Sequence, residues 1–214
     1  MPIDRLIVVA GPKAVGKSHF IESLRQRSLP DLTEAIQMDD PASWQYVAAL
    51  EYEDEESRAH VRDARMERVV LHYEMTRPWA RGYARSFSED TPLELFRFSK
   101  EITVVTLWAP CNVLLSRFLA RNSRFRSKLL WLRAVYRHGF QIRKLDSDFR
   151  PLYRNPKEVV RVYKEWFQFC GSHAAKGHWL VASRDEGFSP AIFGKFPDDL
   201  VETMDAWDRA SDGV

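Results

Sequence analysis

Cysteine is scarce in this chain of 214 residues. Cys111 and Cys170 are the only two, and they lie far apart. They form no metal-like or redox-like pair, which suits a reducing cytosol, and a cytoplasmic location is the expectation. No window approaches 18 consecutive apolar residues, so no membrane-spanning helix is expected. The apolar run in MPIDRLIVVAGPK is too short for a signal peptide, and Gly11 and Lys13 interrupt it. Repeats and low-complexity tracts are absent as well. The formal net charge is only +2, which by itself singles out no partner. What remains is an ordinary composition, 45% hydrophobic and 29% charged, long enough for one substantial core and short for two. A single domain spanning 1–214 with insertions is therefore expected, with a frayed tail at ASDGV.

Against this background one stretch stands out. Leu6 to Ala10 is a short apolar strand that runs into Gly11-Pro12-Lys13-Ala14-Val15-Gly16-Lys17-Ser18. This is G-x-x-x-x-G-K-S without a gap, the phosphate-binding P-loop. Gly11 lets the chain leave the strand sharply, and Gly16 lets backbone N–H groups approach phosphate oxygens. A helix starting near Gly16 aims its positive end at the same oxygens. That assigns Lys17 to the β- and γ-phosphates and the Ser18 hydroxyl to Mg²⁺, with Gly11 to His19 as the nucleotide-binding run. Phe20, Ile21 and Leu24 give the following helix an apolar face. A Gly-rich turn that binds nothing is the plain alternative.

Acids with a catalytic role belong at the carboxyl ends of strands in such sheets. Glu34 to Met38 reads as a short strand that delivers Asp39 and Asp40, with Asp39 a general base or Mg²⁺ ligand and Asp40 and Trp44 at an acceptor. The competing reading makes Asp39 or Asp40 a turn or helix cap. Arg68 to Glu74 reads as a buried strand ending in Glu74, a second base candidate. His72 shares its side of that strand and reads better as a hydrogen-bonded core histidine. Beyond it, Arg77, Arg81 and Arg85 interleave with Trp79 and Tyr83. Arg77 and Tyr83 are candidates to grip an acceptor. The acidic run Glu51 to Glu56 reads as a solvated face.

Ile102 to Trp108 is a further strand, followed by a helix from about Asn112 to Asn122. From Arg117 to Arg150 there are ten Lys or Arg against Asp146 and Asp148. Arg117 and Arg121 are spaced i, i+4, and Arg124 and Arg126 follow. Leu129, Leu132, Val135, Tyr136 and Phe140 make an apolar stripe decorated by Lys128, Arg133, Arg137, Arg143 and Lys144. Such a basic amphipathic segment, 126–150, suits an anionic partner: a membrane surface, a glycan phosphate or RNA. The duller reading packs the helix on its own core. Helices over Glu158 to Cys170 and Asp198 to Arg209 read as core packing, and Gly177 to Ser183 as the last strand.

The order of these features resembles the P-loop kinases of small molecules, among them nucleoside, nucleotide, gluconate and uridine kinases. The likeness covers roughly residues 4–126 and a later strand, and its sharp motif is Gly11 to Ser18. It implies an α/β P-loop NTPase fold of three layers, with a mostly parallel five-stranded sheet and an added helical, basic segment. It implies a lid and helical insertion over roughly 117–170, in which Arg117, Arg121 and Arg124 close over the transferring phosphate. It also implies ATP and Mg²⁺ as cofactors, Asp39 or Glu74 as base, and Ser183 and Arg184 near the nucleotide base. The sequence has no D-G-x-P-R and no E-R-S, so the acceptor is carried over from no subfamily. The guanine-reading N-K-x-D is missing too, against a regulatory GTPase. The expected activity is phosphoryl transfer from ATP to a small-molecule hydroxyl or phosphate. The alternative is a P-loop ATPase or nucleotide-binding module coupled to a protein, nucleic acid or membrane.

Overall fold

The computed structural model describes residues 3–49, 52, 55, 58, 59, 67–76, 86–124, 152, 154–173, 177–184 and 187–191. Six strands form one sheet. They are β1 (Ile3–Gly11), β2 (Gln45–Ala48), β3 (Arg68–Glu74), β4 (Ser99–Trp108), β5 (Gly177–Arg184) and β6 (Gly187–Ala191). Their order across the sheet is β2-β3-β1-β4-β5-β6, parallel except for β6, which runs antiparallel to β5. The mostly parallel α/β architecture is as expected. Among the described residues the count is six strands, not five, because β6 follows β5 where no strand was expected.

β1 is buried through nearly its whole length, from Leu6 to Gly11, as a strand covered on both faces must be. The described helices are α1 (Lys17–Arg25), α2 (Pro30–Ala35), α3 (Leu95–Phe98), α4 (Cys111–Arg124) and α5 (Pro156–Ser172). Alternation along the strands sorts them onto faces. Tyr73 and Thr106 share one face, and Trp166 of α5 stacks on Tyr73 at 5.3 Å between ring centroids. Ser183 and Phe188 lie on the other face, where Phe20 of α1 meets Phe188 edge-on at 5.0 Å. Helix α5 ends the segment expected as lid and insertion, yet it is packed into the core: Val162, Trp166 and Cys170 are fully buried.

Two expectations for elements change. Glu34 to Met38 is not a strand. Pro30 opens α2 at its first position, and the helix runs through Ala35. Gln37 then turns with φ 55°, and Met38 N–H donates to the Thr33 carbonyl at 2.8 Å. The real second strand starts at Gln45. Thr91-Pro92 reads in the sequence as a helix start with proline at the first position, and it instead opens a 3₁₀ turn, Thr91–Glu94, before α3. The remaining strands and helices fall within a few residues of expectation. The basic segment 126–150 and the helix near 198–209 lie outside the described residues.

The α5 face of the core carries a buried polar chain. Trp166 Nε1–H donates to Thr106 Oγ1 at 2.9 Å, and that hydroxyl is 2.8 Å from His178 Nε2. Tyr73 O–H donates to the buried Asp90 Oδ2 at 2.6 Å on the same face. Burial, and then the Asp90 carboxylate, push the Tyr73 phenol well above its ordinary value, so it stays a donor. Burial drives His178 the other way, from 6.5 down to about 3. A neutral imidazole accepting from Thr106 fits both facts. The unfolded chain then binds a proton between pH 6.5 and about 3 that the folded chain does not, so stability falls as pH drops through that window. The slope for this one group is about 1.4 kcal/mol per pH unit. Urea unfolding of the wild type at pH 7 and 4.5 is expected to show it, and His178→Gln is expected to flatten it. An unchanged slope in the variant would mean that His178 is not buried neutral.

Candidate functional site

The site follows from the pairing of β1 with β3. Their parallel register sets Gly11 opposite Glu74, the two C-terminal residues of their strands. The ladder is extended by Met75 N–H, which donates to the Gly11 carbonyl at 3.2 Å. Gly11 has no room for a side chain. A Cβ there would lie 2.8 Å from Val15 Cγ1 and 2.9 Å from the Leu107 carbonyl oxygen. The loop then curls over the end of the sheet into α1, whose N-cap is Gly16. Gly16 has φ 102°, a conformation that side chains resist, and no side chain caps the helix.

Lys17 is buried beneath this loop. Its Nζ donates to the carbonyls of Gly11 and Pro12, each at 2.8 Å, and to Glu74 Oε2 at 3.2 Å. The Lys17 side chain is 6% exposed and that of Glu74 20%, so the pair is shielded far more than a surface salt bridge. The second oxygen, Glu74 Oε1, accepts from the Thr76 N–H at 3.1 Å and from the Thr76 hydroxyl. Ser18 and His19 are exposed on the first turn of α1. Lys13 places its Nζ 5.7 Å from the centre of the Phe118 ring. All nine residues from Gly11 to His19 thus form one loop-and-helix start beside Glu74.

Arg117 reaches the same end of the sheet by another route. On α4 it donates from Nη1 to Ser183 Oγ at 2.9 Å and from Nη2 to the Ser183 carbonyl at 3.4 Å. Ser183 Oγ would be 3.3 Å from a Cβ built on Gly16, so the guanidinium is one side chain away from the loop. Phe188 packs beside it, 5.5 Å from the His19 ring. Neither Ser183's double role nor Phe188 belongs to any motif. Phe188 is placed by its pairing with Ser183 across β5 and β6, and Ser183 by its position near the end of β5. Arg121 and Arg124 lie on α4, with side chains outside the described residues. Arg77 and Tyr83 lie outside them altogether.

Asp39 does not sit where a base or Mg²⁺ ligand is needed. Without a strand at 34–38 it is carried to the amino end of the sheet, where Arg68 Nη1 approaches its Oδ1 at 3.4 Å. Arg68 begins β3 and Glu74 ends it, a separation of about 20 Å along the strand. Its own backbone hydrogen bond, and then Arg68 and Arg5, hold the Asp39 carboxyl below its usual value. A base working near neutral pH needs the opposite shift. Asp40 and Trp44 move with it. Asp40 accepts from Ala42 N–H at 3.3 Å, capping the short turn Pro41–Ser43, and Arg27 pairs with it at 3.3 Å. Trp44 is buried, with the Arg5 guanidinium 5.3 Å from its ring centre. For Asp40 the turn-and-cap reading is the one the structure bears out. His72, half-buried on β3, receives the Ala49 N–H at its carbonyl at 3.0 Å.

No protein-family model matches the chain, and no curated protein matches it. The chemistry must therefore be read from the residues. A buried ammonium under a glycine-bounded loop and an uncapped helix start are a donor set that suits a polyphosphate, while the adjacent carboxylate can only accept. Among the described residues no group of three or more His, Cys, Asp or Glu could hold a metal. A Mg²⁺ held with a nucleotide does not require one, since phosphates and water fill most of its octahedron. Ser18 and Glu74 are the residues here that could complete it, the first directly and the second through water.

The loop also carries a strained residue. Ala14 has φ 69°, in the left-handed region that costs an L-residue with a side chain about 1 kcal/mol or more relative to glycine. Ala14→Gly is expected to raise the unfolding free energy by on the order of 1 kcal/mol, measured by urea titration. A variant less stable than wild type would mean that Ala14 does not hold this conformation in solution.

Proposed function

We propose that the protein is an ATP- and Mg²⁺-dependent phosphotransferase acting on a small-molecule acceptor, built on the three-layer P-loop architecture. One observation carries the reading. The Lys17 ammonium and the Glu74 carboxylate meet at 3.2 Å beneath a loop whose Gly16 is left-handed and whose helix is uncapped. In this reading Lys17 leaves the Gly11 and Pro12 carbonyls for the β- and γ-phosphates, and the loop amides hold the rest. The same move releases Glu74 Oε2 to accept the acceptor's proton or to orient metal-bound water. Mg²⁺, when bound, neutralises charge on the phosphates. Arg117 adds a cation one side chain from the loop. Glu74 takes the base role, since Asp39 is at the far end of the sheet.

An acceptor screen tests this. Nucleosides, sugars, coenzyme precursors and lipid-linked saccharides are offered with ATP and Mg²⁺, and ADP release is scored for wild type and Lys17→Ala. At least one acceptor is expected to raise wild-type release, and Lys17→Ala to lower that rate by about 10²-fold or more. ATP binding with no acceptor-stimulated release would favour a partner-coupled ATPase or nucleotide-binding module. Equal rates in wild type and Lys17→Ala for every acceptor would remove the kinase reading.

A further inference from the structure

We propose that Thr76 is a positioning residue that aims the Glu74 carboxylate at the phosphate site. The proposal rests on the phosphoryl-transfer reading above and names a residue outside the loop motif. Thr76 is fully buried, two residues beyond the end of β3. Its backbone N–H and its hydroxyl converge on one oxygen, Glu74 Oε1. An ionised carboxylate only accepts, so the hydroxyl must be the donor. With Oε1 held twice, Oε2 is the oxygen turned toward Lys17 Nζ. The anchor is firm because Met75, between the two residues, is tied by its N–H to the Gly11 carbonyl and is itself fully buried.

The arrangement matters most when the lysine moves. In the structure Glu74 is restrained from both sides, by Lys17 at Oε2 and by Thr76 at Oε1. Once Lys17 turns to phosphate oxygens, the restraint at Oε2 weakens, and among the described residues it is Thr76 that still holds the side chain. A glutamate has three rotatable bonds, and an unrestrained carboxylate would spend most of its time off the reacting geometry. A hydrogen bond to a charged group is worth about 10- to 100-fold, which sets the size of the effect.

The test is a double-mutant cycle on ADP release from MgATP, with MgATP affinity measured separately by direct titration. Thr76→Val keeps the shape and removes the hydroxyl; Thr76→Ser keeps the hydroxyl and removes the methyl. Thr76→Val is expected to slow release by about 10- to 100-fold while MgATP affinity stays within about threefold. Thr76→Ser is expected to stay within about threefold of wild-type release. On a Glu74→Gln background, Thr76→Val is expected to add nothing beyond about twofold, because the residue acts through Glu74. Wild-type release in Thr76→Val overturns the proposal. So does an equal loss from Thr76→Val with and without Glu74→Gln, or a loss in Thr76→Ser as large as in Thr76→Val. Thr76→Ala takes the valine's place in the cycle if Thr76→Val does not fold. Failure of the underlying reading looks different: wild type itself then releases ADP no faster than Lys17→Ala, whether or not it binds MgATP, and the proposal falls with it.

Discussion

A buried ammonium needs a counter-charge, and that requirement organises this end of the molecule. Lys17 is nearly out of water, and two carbonyl dipoles alone would leave its charge poorly compensated. Glu74 supplies the negative charge, and it can do so only because β1 and β3 are parallel and in the register that sets Gly11 beside it. A slip of one residue would turn Glu74 to the α5 face and bring Tyr73 to the loop. The apolar strands around β1 thus do more than build a core. They hold a lysine and a glutamate, 57 positions apart, within hydrogen-bond distance.

The two ends of the sheet have separate characters. At the carboxyl end, buried charge, left-handed backbone and an uncapped helix are gathered around Lys17. At the amino end, Arg5, Arg27 and Arg68 meet Asp39, Asp40 and the buried Trp44, and the pairs there are exposed and geometrically loose. Such pairs contribute little to stability. Their task is local: Asp40 caps a turn, and Arg5 donates from Nη1 to the Gln37 carbonyl at 2.8 Å, closing the end of α2 against β1.

How much of this was legible beforehand depended on what each signal measures. The loop from Gly11 to Ser18 was legible because its spacing encodes one backbone path, and β3, β4 and β5 because runs of β-branched and aromatic residues fit a sheet covered on both faces. Glu74 followed from its place at the end of such a run. Asp39 misled because Glu34 to Met38 is too short for periodicity to choose between helix and strand, and Pro30 at the first helical position decided it. Thr76 was hidden for a different reason. A hydroxyl two residues past an acid is common in turns, and only the strand pairing at Met75 shows that it folds back on Glu74. Phe188 is brought in by the hairpin of β5 and β6, and the Ser183–Arg117 contact joins residues 66 positions apart, which no local pattern records.

Ser183 gives this architecture a property that the loop alone would lack. Its hydroxyl accepts from a guanidinium on α4 and also borders the space over Gly16. Helix α4 and the loop are thereby geared to each other through a single oxygen atom. A methyl group added at Gly16 would come within 3.3 Å of that oxygen, and the serine rotamer that would have to yield is the one that holds the hydrogen bond to Arg117. A substitution just past one end of β1 would thus be felt at a hydrogen bond at the end of β5, two strands away.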